Sequence, residues 1–176
     1  SVMAFHPCQP LTPESDSDKV FRGICFDMEG DAAACELGAR VAIDLGAVSV
    51  VLSPEQRALT HLAMTTASNY SVSLIHMAET ILATAGCAPE ISKRMLEPLV
   101  FNAVCNSFEI GTENALTGPV SRGDNEIIKQ QLKLLESIDA KLLSAYKALA
   151  QIAMEIAVRR GSITTERADE MKKLFT

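Results

Sequence analysis

SPEQRALTHLAMTTASNYSVSLIHMAETILATAG, residues 53–86, decides the architecture of this chain. Ser53 offers a helix cap, Pro54 suits the first helical position, and Gln56 completes a capping box three residues after Ser53. Gly86 supplies a left-handed stop. A helix of that length is a rod of ~45–50 Å, far beyond the usual three or four turns. Its middle is small or apolar nearly all round, with Leu59, Leu62, Ala63, Ala67, Val72, Leu74, Ile75, Ala78, Ile81 and Leu82. That pattern predicts the buried axis of a helical domain.

One line on the rod is polar. His61, Thr65, Asn69 and Ser73 fall four apart and stack on a single face. Two readings stay open. Thr and Ser bond back to their own helix while His61 and Asn69 bond a neighbouring loop, or the line walls a ligand cleft at a domain interface. A polar line inside a buried helix must find partners, and a ligand is one such partner.

Composition narrows the class. The chain has 176 residues, 48% of them hydrophobic but only 5% aromatic, with no Trp. Such a core is built from Ala, Leu, Ile, Val and Met, as in close-packed helices. A net charge of −6, with no basic run longer than Arg159-Arg160, argues against nucleic-acid binding. No apolar run is long enough for a membrane span and no signal-peptide pattern opens the chain, so a cytoplasmic, membrane-free protein is expected. Cys8, Cys25, Cys35, Cys87 and Cys105 are odd in number and widely spread, without C-x-x-C. They read as reduced core thiols, and no metal site is expected.

Before the rod, residues 2–5 form a short apolar strand ending at His6-Pro7, and residues 8–19, rich in Pro, Ser and Asp, form a surface loop. Residues 21–30 alternate as a strand, with Ile24, Phe26 and Met28 on one face and Cys25, Asp27 and Glu29 on the other. Asp31 caps a helix to about Leu45, with Ala34, Leu37, Val41 and Leu45 inward. VSVVL (48–52) is a wholly apolar strand. A βαβ unit with such a strand wants a parallel sheet covered on both faces, and this chain has too few strands for one. Residues 1–52 therefore read as the end of a larger doubly wound sheet, cut from its beginning.

After the rod come helices over 89–110 (kinked at Pro98, with Ile91, Met95, Leu99, Ala103 and Val104 inward), 124–137, 139–160 and about 165–175, with residues 112–123 as loop. The expected fold is mainly α: an incomplete Rossmann-type β/βαβ segment (1–52), then an all-helical domain (53–176) built around one long helix.

ALTGPVSRGDN (115–125) is the most unusual segment. Gly118-Pro119 forces a turn, and Arg122 is held just before a helix start, where free amides and a guanidinium favour a carboxylate or phosphate. Asp124 opposes this by filling the helix end, so an Arg122–Asp124 clamp that only fixes the loop is the other reading.

Three motifs carry a family resemblance: L-T-G-P-x-x-R-G-D (Leu116 to Asp124), N-x-x-x-x-G (Asn106 to Gly111) and H-x-A-x-x-x-A-S-N (His61 to Asn69). With His6-Pro7 and Glu29-Gly30-Asp31, they resemble a little-characterised family of NADP-dependent oxidoreductases. That family is related to pyrroline-5-carboxylate reductase and, further off, to ketopantoate reductase and the β-hydroxyacid dehydrogenases. The resemblance runs from about residue 2 to about 158. It implies a Rossmann domain for the dinucleotide, followed by a helical domain that forms a homodimer and closes a cleft over a small-molecule substrate. It makes His61 and Asn69 catalytic candidates, and Thr117, Arg122 and Asp124 substrate-binding candidates, with Thr65 added from the polar line.

Two departures qualify what it implies. No G-x-G-x-x-G follows a strand, and the one strand–helix joint, E-G-D-A-A-A (29–34), lacks the glycines that let backbone approach a pyrophosphate. NADP would then be bound mainly by a domain this chain lacks, and no cofactor-binding residue is assigned. The lysine that β-hydroxyacid dehydrogenases carry one turn before the Asn is replaced by Thr65 and Thr66. That leaves His61 as the titratable candidate near neutral pH. Beside this enzymatic reading stand a non-catalytic helical assembly module and a small anion binder using the Arg122 loop.

Overall fold

A computed structural model describes residues 1–13 and 19–176 of the chain. Part of the expected 8–19 loop, residues 14–18, lies outside the described residues. The fold is mainly α, with a small N-terminal sheet followed by helices. Two compact units divide at Leu74/Ile75, inside the longest helix.

The first unit begins with β1 (Met3–Pro7) and β2 (Cys25–Gly30), followed by α1 (Ala32–Asp44), β3 (Val48–Val51) and the N-terminal part of α2 (Pro54–Thr84). The strand order is β1-β2-β3, with β1 antiparallel to β2 and β2 parallel to β3, so β2–α1–β3 is the expected crossover unit. Central β2 is covered on both faces: Phe26, Asp27 and Met28 are all buried. Phe5 stacks on Phe26 at 4.3 Å between ring centroids.

The inward face of α1 differs from expectation. Cys35, Gly38 and Ala42 are buried, whereas Leu37, Val41 and Leu45 are exposed. The reason is close packing on the sheet: a Cβ on Gly38 would come within 2.7 Å of the Met28 sulfur and 2.8 Å of the Met3 side chain. Only small residues fit there. Asp31 does not cap α1 with its side chain; its carboxylate accepts from the Val2 amide at 2.9 Å. Edge strand β3 leaves Val48, Val50 and Val51 exposed.

Helix α2 starts as its sequence predicts. Ser53 N donates to Gln56 Oε1 and Gln56 N to Ser53 Oγ, at 2.9 and 3.2 Å. It ends at Gly86, whose φ of +80° an L side chain rarely adopts. Its burial is the main correction. None of its 31 residues is buried, and Leu59, Leu62, Val72 and Leu74 stand exposed, so this chain alone does not make the rod a core axis. Part of the polar line does bond back to its own helix, Ser73 Oγ donating to the Asn69 carbonyl at 3.2 Å.

The second unit holds the rest of α2, then α3 (Pro89–Glu109), the short α4 (Thr112–Ala115) inside the expected loop, α5 (Asn125–Ile138), α6 (Ala140–Arg160) and α7 (Thr165–Lys172). Its core lies among α5, α6 and α7, where Ile128, Met154, Ala157, Met171 and Phe175 are buried. Asp124, Asp139 and Thr164 cap these three helices through side-chain oxygens. The inward face expected for α3 is bare: Ile91, Met95, Leu99 and Val104 are exposed, and only Ser92 is buried. Leu149 and Ile152 of α6 are exposed as well. Among the described residues no helix is long and apolar enough to cross a membrane.

Candidate functional site

Within the first unit, the pairing of β1 with β2 sets His6 opposite Asp27, although 21 residues separate them in sequence. Asp27 is 2% exposed, the one acidic side chain in the sheet's covered layer. A carboxylate so placed needs partners. It has three. His6 Nδ1 lies 3.0 Å from Oδ2, the Cys8 thiol points to the same oxygen at 3.9 Å, and Arg57 Nε donates to Oδ1 at 3.0 Å. Arg57 also approaches Glu29, Nη1 to Oε2 at 3.9 Å.

Local sequence explains how Arg57 arrives there. Leu52 N continues the β3 ladder by donating to the Met28 carbonyl, Ser53 then caps α2, and Arg57 N makes a first-turn helical bond to the Ser53 carbonyl. The capping box thus fixes the turn that aims Arg57 back at β2. His61 follows one turn later, its ring centroid 6.2 Å from that of His6.

His6, Asp27, Glu29, Pro54, Arg57, Ala58 and His61 line a cleft of about 350 Å³. A carboxylate at Nδ1 fixes the orientation of an imidazole and leaves Nε2 as its free nitrogen. Burial raises the Cys8 thiol above its ordinary pKa, with Cys25 and Asp27 adding to the shift, so Cys8 is held as a thiol. The cleft can hydrogen-bond a polar small molecule through two imidazoles, while Arg57 offsets part of the negative charge of Asp27 and Glu29.

Of the residues expected from sequence, His61 lies in this cleft. Thr65 and Asn69 continue along α2 outside the cleft lining, Thr65 half-buried and Asn69 exposed. Sequence reasoning passed over His6, Asp27 and Arg57 as site residues. The available signal was an aspartate in the middle of the apolar run ICFDM.

Thr117, Arg122 and Asp124 belong to the second unit and share one loop. Thr117 and Arg122 are exposed. The Arg122–Asp124 clamp is not formed: Asp124 Oδ1 accepts from Ile127 N at 3.2 Å and so caps α5. Other arginines hold the loop. Arg167 of α7 donates from Nε and Nη2 to the Gly123 carbonyl at 2.9 and 2.6 Å, and Arg160 Nη1 donates to the Leu116 carbonyl at 2.9 Å. Val120 and Ser121 are buried beneath it.

A family model described as a domain of unknown function (DUF2520) matches residues 24–153. The chain belongs to this family. No curated protein matches it. Two solved structures share the fold. Protein TM1727 from Thermotoga maritima is 23% identical with a TM-score of 0.76, the match covering 90% of this chain and 62% of that one. BF3122 from Bacteroides fragilis, described as a "putative NADP oxidoreductase", is 24% identical with a TM-score of 0.73, covering 86% and 56%. The chain thus spans less than two thirds of the length of either.

Proposed function

We propose that this chain is the substrate-side and dimerisation part of an NADP-dependent oxidoreductase related to pyrroline-5-carboxylate reductase and ketopantoate reductase. Residues 1–52 complete a nucleotide-binding sheet and residues 53–176 form the helical domain. The observation that carries the reading is the polar cleft over β2, with the buried Asp27 holding His6 and Arg57, in a fold shared with a protein described as an NADP oxidoreductase.

The dinucleotide is held mainly outside these 176 residues. The β2–α1 turn supports this, because its residues do not fit a pyrophosphate. A Cβ on Gly30 would meet the Val2 carbonyl at 2.3 Å, Asp31 N donates to that carbonyl at 3.0 Å, and the Asp31 carboxylate sits at the helix start. The turn is filled by the beginning of β1 and carries the wrong charge for a phosphate.

What this chain contributes is positioning. His61 serves as a hydrogen-bonding group toward the substrate, Asn69 and Thr65 extend the same side of α2, and the Thr117–Asp124 loop, with Arg122 exposed, supplies a second recognition element. The exposed apolar faces of α2 and α3 support a homodimer in which a second copy covers them.

NADPH titration of this chain and of the natural gene product that contains it tests the reading. We expect no saturable binding to the 176-residue chain, and saturable binding with substrate-dependent oxidation by the gene product. His61→Ala should lower turnover there by about 10²-fold, the usual range for a positioned proton-handling group. A gene product that binds no NADPH contradicts the proposal.

A further inference from the structure

The first unit holds a donor set in which the Cys8 thiol, unused by the oxidoreductase reading, joins the His6–Asp27 pair of the cleft. His6 Nδ1, Cys8 Sγ and an Asp27 carboxylate oxygen all lie within 4.8 Å of one another. We propose that these three side chains form a site for one divalent transition-metal ion of zinc type, with a fourth position open toward the cleft that His61 lines.

Chemistry and distance agree. Imidazole, thiolate and carboxylate are the three ligand types that zinc takes, and three protein ligands with one open position is the arrangement of its reactive sites. Metal–ligand bonds of about 2.0–2.3 Å at tetrahedral angles set neighbouring donors about 3.3–3.6 Å apart. Here Asp27 Oδ2 is 3.0 Å from His6 Nδ1 and 3.9 Å from Cys8 Sγ. Shifts of a few tenths of an ångström at these two pairs bring both to coordination distance, and rotation of the half-buried Cys8 and His6 side chains closes the rest.

The surroundings fit as well. Oδ2 is the corner shared by His6 and Cys8, while Arg57 occupies Oδ1, so a guanidinium orients the liganding carboxylate from behind without blocking it. Charge closes too. A dication with the Asp27 carboxylate and the Cys8 thiolate is neutral, and Arg57 is matched by Glu29. Binding displaces one proton, from the Cys8 thiol to solvent, and the ion takes its place; any proton on His6 Nδ1 moves to Nε2. The spacing explains why sequence reading expects no metal: H-x-C, with His6 on β1 and Cys8 just past its end, acquires its third ligand only through strand pairing, 19 positions beyond Cys8.

The experiment is titration of the reduced, chelator-stripped 176-residue chain with cobalt(II) and with zinc(II). We expect one equivalent of cobalt to give a thiolate-to-metal charge-transfer band in the near ultraviolet and tetrahedral d–d bands in the visible, both bleached by zinc. Cys8→Ser should abolish the charge-transfer band and weaken zinc binding about tenfold or more, and His6→Gln should weaken it comparably. Cys105→Ser, at an exposed thiol elsewhere, should change neither. Circular dichroism checks that each variant is folded; if Cys8→Ser is not, His6→Gln decides. Absence of stoichiometric binding, or binding that survives substitution of His6 and Cys8, overturns the proposal.

Discussion

The α5–α7 assembly and the α2–α3 pair draw on the same side chains and treat them in opposite ways. In the first, Ile128, Met154, Ala157 and Met171 are at most 2% exposed. In the second, 52 helical residues (31 in α2 and 21 in α3) include a single buried one, Ser92, while Leu99 and Phe101 are about two-thirds exposed. Composition does not separate them. The periodicity does: α5 is strongly amphipathic, with Lys129, Lys133 and Glu136 along one edge of its apolar stripe, and so it is completed by one neighbour. Helix α2 is small and apolar nearly all round and needs cover on several sides. One region is finished within the chain; the other is left bare by it, and a second copy is the proposed cover.

The largest effect that sharpens this contrast is in the finished core. Met154→Ala should lower stability by about 2–5 kcal/mol, read from urea unfolding at unchanged m-value, because it opens a cavity among α5–α7 side chains. A loss under about 1 kcal/mol would mean this core is loosely packed, and the contrast would fail. A smaller effect is expected at the loop that this core supports. Arg167→Ala leaves the Gly123 carbonyl without its two guanidinium bonds and should cost about 1–3 kcal/mol, with faster amide exchange confined to residues 117–124. Unchanged exchange there would show that Val120 and Ser121 hold the loop by burial alone.

How much was legible in the sequence follows the range of the interaction concerned. The Ser53–Gln56 capping box, the Gly86 stop and the cap at Asp124 are set by neighbours within a few residues, and each is present. The βαβ crossover is also present, because an apolar strand after a short helix has few other pairings. The inward face of α1 was misread because large residues were expected to point in, whereas contact with Met3 and Met28 admits only Cys35, Gly38 and Ala42. The cleft was mostly illegible. His6, Asp27 and Arg57 meet through strand pairing and a cap, across 21 and 30 residues. Arg167 escaped for the same reason, reaching its carbonyl across 44.

The central claim, that α2 and α3 are completed by a second copy of this chain, is tested most directly by sedimentation equilibrium of the 176-residue protein at micromolar concentration. The account predicts twice the 18.9 kDa chain mass, falling to the single-chain mass in Leu99→Asp with helical content retained. A folded, soluble single-chain mass for the unaltered protein, with those apolar helices bare, would contradict it.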